Sequence, residues 1–147
     1  MPNDSVPRLN SRLVYDDVDA TVAWLSEVVG FRERREVCIS SPAGELAWLD
    51  LGDDMIVVSS ADVHGLRSPQ RLGGCNQQLM VYVDDVDALV GRAEVAGCTV
   101  VAPPADQFFG DRRAELLDPE GHAWAFHQHL RDVPREEWPG ELRGEAQ

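Results

Sequence analysis

The pentapeptide Asp16-Asp17-Val18-Asp19-Ala20 returns unchanged as Asp84-Asp85-Val86-Asp87-Ala88, and Val22 returns as Val90 at the same offset. A five-residue string seldom repeats by chance in a chain of 147 residues, so the repeat marks a duplicated supersecondary unit. Its period is too long for stacked solenoid repeats. Each copy follows a strand-like run, Arg12-Leu13-Val14-Tyr15 or Leu79-Met80-Val81-Tyr82-Val83. Each precedes an apolar pattern of helical spacing that stops at a glycine, Gly30 or Gly97.

The pentapeptide is suited to start a helix. Asp17 and Asp85 can accept backbone N–H bonds as caps, and Asp19 and Asp87 oppose the positive end of the helix dipole. One apolar stripe is expected per helix: Val18, Val22, Leu25 and Val29 in the first, Val86, Leu89, Val90 and Ala93 in the second. Three strand signals follow each helix. In the first copy they cover residues 31–40, 45–51 and 55–60, separated by turns at 41–44 and 52–54. In the second they cover 98–102, 112–117 and 122–129, with a loop at 103–110 carrying Phe108 and Phe109 and a turn at Asp118-Pro119-Glu120-Gly121.

The predicted fold class is therefore α+β: two βαβββ modules forming a curved mixed sheet with helices on the outer face. One domain is expected over residues 1–147, with modules at 8–60 and 77–130. Residues 61–76 read as a linker or lid, and 131–147 as a loosely packed polar tail with Trp138 exposed.

Composition narrows the function classes. With 44% hydrophobic residues the chain can build a core without disulfides or a structural metal, and Cys38, Cys75 and Cys98, an odd set lacking CxxC spacing, read as plain thiols. No apolar run is long enough to span a bilayer, and the start MPNDSVPRLN lacks a secretion signal, so no membrane partner and a cytoplasmic location are expected. A net charge of −13 without a basic cluster argues against nucleic acid as a partner. The acidic surface serves solubility, or attracts a cationic small molecule.

Gly52-Asp53 before the fourth strand of the first module, Gly110-Asp111-Arg112, and Asp118-Pro119-Glu120-Gly121-His122-Ala123-Trp124 complete a pattern. Together with the paired modules it resembles the glyoxalase/bleomycin resistance/dioxygenase, or vicinal oxygen chelate, superfamily, over about residues 8 to 133. That superfamily contains metal-dependent lyases, isomerases and dioxygenases, and also metal-free proteins that sequester antibiotics. The resemblance implies metal ligands at Asn10, Val57, Gln78 and Ala125. Val57 and Ala125 have no donor atoms, and Asn10 and Gln78 are neutral amides, so no metal and no other cofactor is expected. His122, His127 and His129 form a second histidine set, for which hydrogen bonding is the simpler role.

Strand alternation then assigns faces. Asn10, Arg12, Val14, Val57, Ser59, Gln78, Met80, Tyr82, Ala123, Ala125 and His127 should line the inner face, with Leu13, Tyr15, Val81, Val83, Trp124 and Phe126 packing on the helices. Trp48 and Asp50 fall on the polar face of their strand. The candidate ligand-binding residues are Arg12, Trp48, Asp50, Gln78, Tyr82 and His127, with Trp48 as a stacking wall. Phe108 and Phe109 either close over that opening or plug the end of the module. The leading function is a metal-free protein that sequesters a small aromatic or cationic compound. The alternative is a lyase or isomerase working by acid–base chemistry through Arg12, Asp50, Tyr82 or His127. No catalytic residue is assigned. A homodimer is expected, because four-stranded sheets of this kind leave open edges.

Overall fold

A computed structural model describes residues 6–60, 65–141 and 143–144. The first module runs β1 (Ser11–Tyr15), α1 (Val18–Trp24, continued by a π-helical turn over Leu25–Val29), β2 (Arg32–Glu33), β3 (Ile39–Ser41), β4 (Gly44–Leu51) and β5 (Asp54–Ser60). A short helix α2 (Pro69–Leu72) follows. The second module runs β6 (Gln78–Tyr82), α3 (Val86–Val95), β7 (Thr99–Asp106), β8 (Asp111–Leu117) and β9 (Ala123–His129). The modules carry separate sheets, ordered β1-β5-β4-β2 and β6-β9-β8-β7, with β3 also paired to β4. In each, the first strand lies parallel to the last and the other pairs are antiparallel.

Both helices begin as their sequence dictates. Asp17 Oδ1 accepts the Ala20 amide at 2.9 Å and Asp85 Oδ1 the Ala88 amide at 3.0 Å. In α3 the buried residues are Val86, Leu89, Val90 and Ala93, as expected. In α1 and its extension the buried face is instead Val18, Thr21, Trp24, Leu25 and Val28, with Val22 and Val29 at its edge. The large Trp24 ring draws the face toward itself by packing edge-on to Trp124, centroids 5.6 Å apart.

Three expectations need correction. Residues 31–40 do not form one strand: a 3-10 turn at Arg35–Val37 separates β2 from β3. This charged run lies at the outer edge of the sheet, where β4 is its only partner among the described residues, and Cys38 Sγ donates to the Arg34 carbonyl at 3.1 Å. Residues 103–106 are not loop. Strand β7 continues through Pro103 and Pro104 to Asp106, tolerated because β7 is an edge strand and its pairing is irregular between Val100 and Ala105. Nor is Trp138 exposed, although most residues from 131 to 141 are. The Leu130 and Arg131 amides both donate to the Gly110 carbonyl, at 2.9 and 3.1 Å, and Trp138 is half-buried, edge-on to Phe108 at 5.9 Å. Of the linker, residues 61–64 lie outside the described residues, and Ser68 caps α2.

One hydrophobic core spans both modules, with Leu13 and Tyr15 of β1, Leu49 and Val58 of the first sheet, and Leu116, Trp124 and Phe126 of the second. Cys98 is buried within it, and burial pushes its thiol pKa up to about 11. The turn between β8 and β9 locks the modules together. Asp118 Oδ1 accepts the amides of Glu120, Gly121 and His122, while its Oδ2 accepts the Trp124 indole and the Tyr15 hydroxyl. The Glu120 carboxylate accepts the Asp16 and Asp17 amides at 2.6 and 2.9 Å, and His122 Nε2 donates to the Val14 carbonyl at 2.8 Å. Among the described residues no helix is long and apolar enough to cross a membrane.

Candidate functional site

On the second sheet the register sets Tyr82, His127 and Arg113 side by side, then Met80, Ala125 and Glu115, then His129 beside Asp111. Alternation puts all of these side chains on the face away from the helices, where buried polar groups must find one another. Asp111 is only 2% exposed. It accepts the Tyr82 hydroxyl at 2.8 Å, His127 Nδ1 at 3.1 Å and His129 Nδ1 at 2.9 Å. His127, also 2% exposed, accepts Arg113 Nε at its Nε2, 3.2 Å away, which leaves its proton on Nδ1. Arg113 completes the chain by reaching Glu115 Oε1 at 2.6 Å and Gln78 Oε1 at 3.1 Å, and Gln78 Nε2 donates to Glu115 at 3.4 Å.

These contacts fix the charges. Burial pushes the Asp111 carboxyl up, but the bonds from His129, Tyr82 and His127 outweigh it and hold the group below its ordinary range. The bond to Asp111 raises the Tyr82 phenol, which keeps its proton at neutral pH. Arg113 and Gln78 lower Glu115. Tyr82 is 64% exposed, so its oxygen can accept a hydrogen bond from outside while its own hydrogen stays on Asp111. The rings of Tyr82, His127, Phe109, Phe108 and Trp138 follow one another at centroid spacings of 5.3, 6.0, 5.2 and 5.9 Å, so Phe109 leans over His127 and Phe108 contacts the C-terminal segment.

The other candidates lie on the first sheet. Arg12, Val57 and Trp48 form one row across β1, β5 and β4. Arg12 Nε donates to Ser59 Oγ at 2.9 Å, and Trp48 is half-buried. Asp50 is engaged by Arg34 at 2.6 Å. The structure thus joins Gln78, Tyr82 and His127 in one network, while Arg12, Trp48 and Asp50 are carried by a different sheet with its own bonds. A cavity of about 470 Å³ lies where the modules meet, lined by Phe31, Leu51, Met55 and Ile56 from the first and by Met80 and Tyr82 from the second. Its apolar walls and size suit a small organic molecule.

Asp111, Arg113, Glu115 and His129 belong to the network but stand outside the sequence-derived candidate set. The alternation of Asp111, Arg113 and Glu115 along β8, with Ala114 and Leu116 turned to the core, is the signal that could have found the first three.

The places expected for a metal do not fit one. Val57 and Ala125 carry no donor, Ala125 is fully buried, Asn10 turns its amide nitrogen to the Pro7 carbonyl at 2.8 Å, and Gln78 is held by Arg113 and Glu115. His127 and His129 both direct Nδ1 to Asp111 instead of converging on a common point. Among the described residues no three His, Cys, Asp or Glu side chains are arranged to hold a metal ion.

Comparisons with known proteins agree with this architecture. The family model described as Glyoxalase/Bleomycin resistance protein/Dioxygenase superfamily matches residues 8–126. An uncharacterized protein of Mycobacterium bovis is 33% identical over 137 residues, 89% of each chain. The crystal structure of TioX from Micromonospora sp. ML1 is 31% identical, with a TM-score of 0.64 over 84% of this chain and 99% of that one. TnmS3, an antibiotic binding protein from Streptomyces sp. CB03234, shares the fold at 22% identity, with a TM-score of 0.62 over 82% of this chain and 93% of its own.

Proposed function

The chain belongs to the glyoxalase/bleomycin resistance protein/dioxygenase superfamily, and we propose that it acts there as a binding protein, holding a small aromatic or cationic organic compound without a metal. One observation carries this reading: the superfamily's coordination places are taken by hydrocarbon at Val57 and Ala125 and by an engaged amide at Gln78, while the ionisable groups of the second sheet are closed onto one another. Such a surface is a preorganised set of hydrogen-bonding partners. Among the described residues it offers no unengaged base. The likeness to TnmS3 supports the same direction.

The alternative, a lyase or isomerase, draws support from the exposed Tyr82 hydroxyl on the buried Asp111 carboxylate. Against it, that phenol holds its proton and His127 has both nitrogens occupied.

The binding unit in this reading is a homodimer. Among the described residues, strands β1 and β6 are each paired on one side only. The Val83 amide donates to the His127 carbonyl, so alternate residues of β6 bond to β9, and the backbone groups of Met80 and Tyr82 face the unpaired edge. The side chains of Met80 and Tyr82 are 61% and 64% exposed. A second copy laid along these edges covers them and sets one chain's Arg12, Trp48 and Asp50 opposite its partner's Gln78, Tyr82 and His127.

The test is titration with planar cationic and neutral compounds, following tryptophan fluorescence and product formation together. Saturable binding without turnover, weakened by changes at Trp48 and Gln78, is the expected result. Turnover abolished by Tyr82→Phe with binding intact would replace this reading with the enzymatic one.

A further inference from the structure

His129 ends β9 with both ring nitrogens against carboxylates. Nδ1 lies 2.9 Å from Asp111 Oδ1, and Nε2 lies 2.9 Å from Asp132 Oδ1. A neutral imidazole has a single N–H and can donate to only one of them, leaving a lone pair aimed at the other carboxylate. Only the imidazolium makes both bonds. The groups around it are those already placed: Asp111 from β8, which also takes Tyr82 and His127, Arg113 of β8 on His127, and Asp132 beside the exposed Arg131. Arg112 is committed to Asp87 and Asp106. The bond to Asp111, then that to Asp132, raises the His129 pKa above its ordinary value.

Asp132 sits in the segment that turns back on the molecule. The Leu130 and Arg131 amides hold the Gly110 carbonyl, Trp138 Nε1 donates to the Val133 carbonyl at 3.2 Å, and the Trp138 ring meets Phe108. Phe108 meets Phe109, and Phe109 leans over His127.

We propose that His129 is a proton-operated latch: as imidazolium it ties Asp132 to Asp111 and holds residues 130–138 against the loop at 107–110, and loss of one proton frees Asp132 and lets this strap lift, carrying Trp138 off Phe108. The bond to Asp111 is the one retained, because that carboxylate is buried, whereas Asp132 is 100% exposed and is rehydrated on release. Lifting removes Trp138 from Phe108, the ring that backs Phe109 where Phe109 leans over His127. The latch depends on this geometry and not on which compound the face receives.

Hydrogen exchange of the full chain tests it, read by mass spectrometry at about pH 5.5 and about pH 8.5, either side of the ordinary histidine range, and corrected for the intrinsic chemical rate. Residues 130–138 should exchange several-fold faster at the higher pH, with β6 and β9 unchanged. His129→Gln and Asp132→Asn should each exchange in that segment, at both pH values, as the parent does at the higher one. Both variants keep His122 and His127. Protection of residues 130–138 that does not change with pH in the parent overturns the proposal. So does a pH dependence that survives in either variant, or a segment that stays protected in both.

Discussion

The Tyr15 hydroxyl donates to Asp118 Oδ2 at 2.6 Å, joining residues 103 positions apart, and the same oxygen takes the Trp124 indole at 3.0 Å. Burial, then Asp118, holds the Tyr15 phenol well above its ordinary pKa, so the donor is present at any physiological pH. Asp118→Asn puts an amide where one oxygen now accepts two donors or the other accepts three backbone amides. It is expected to cost about 2–4 kcal/mol, and Tyr15→Phe about 1–2 kcal/mol. Urea denaturation followed by far-ultraviolet circular dichroism checks both. Equal, negligible shifts would mean that the turn contributes nothing to holding the modules together.

For a planar ligand, Trp48→Ala is expected to weaken binding at least as much as Gln78→Ala. Stacking on the indole contributes about 0.5–1.5 kcal/mol beyond burial, and the lost Gln78 contact costs about 0.5–1.5 kcal/mol. Isothermal titration with a compound the parent binds provides the comparison. Unchanged affinity in both variants would place the site elsewhere, with the cavity between Met55 and Met80 the next surface to probe.

Asp111 predicts an acid-side dependence of stability. Its folded pKa lies below the ordinary 3.8, so its contribution is complete above that value and is lost as pH falls through the folded pKa. Asp111→Asn removes an ionised acceptor from Tyr82, His127 and His129 and is expected to cost about 2–4 kcal/mol near neutrality. The gap between parent and variant should close only below about pH 4, where the parent's own carboxyl protonates. Thermal melts across an acid series measure it. A gap of constant size down to the lowest pH would show that Asp111 is not held ionised.

Met80→Lys places a charge beside the open edge of β6 and should shift sedimentation from dimer to monomer at micromolar concentration, with the melting temperature of the monomer little changed because Met80 is not in the core. A parent that sediments as a monomer would remove the proposed partner altogether.

Much of the fold was legible in local sequence. The repeated Asp-Asp-Val-Asp-Ala string marked both helix starts, and the two-residue period of Leu13 and Tyr15, or Trp124 and Phe126, assigned the core faces. Edge strands were harder, since β2, β3 and β7 have one partner each and tolerate the charges, turn and prolines that sequence patterns treat as breaks. The site was half legible. Gln78, Tyr82 and His127 followed from alternation, whereas the importance of Asp111 depends on three donors from two other strands, β6 and β9, and that of His129 on a segment folding back after the last strand. Such convergence leaves no periodic trace.

The equivalent rows of the two sheets read Arg12, Val57, Trp48 and Met80, Ala125, Glu115. The hydrocarbon centre is common to both, but a cation faces a thioether across the comparison, and an indole faces a carboxylate. A molecule lying across both rows meets unlike chemistry at its two ends, so the duplicated scaffold has lost its twofold sameness and gained a sense of direction. On the proposed reading an elongated guest has one preferred way round, and turned end for end it meets the indole and the carboxylate in the wrong order.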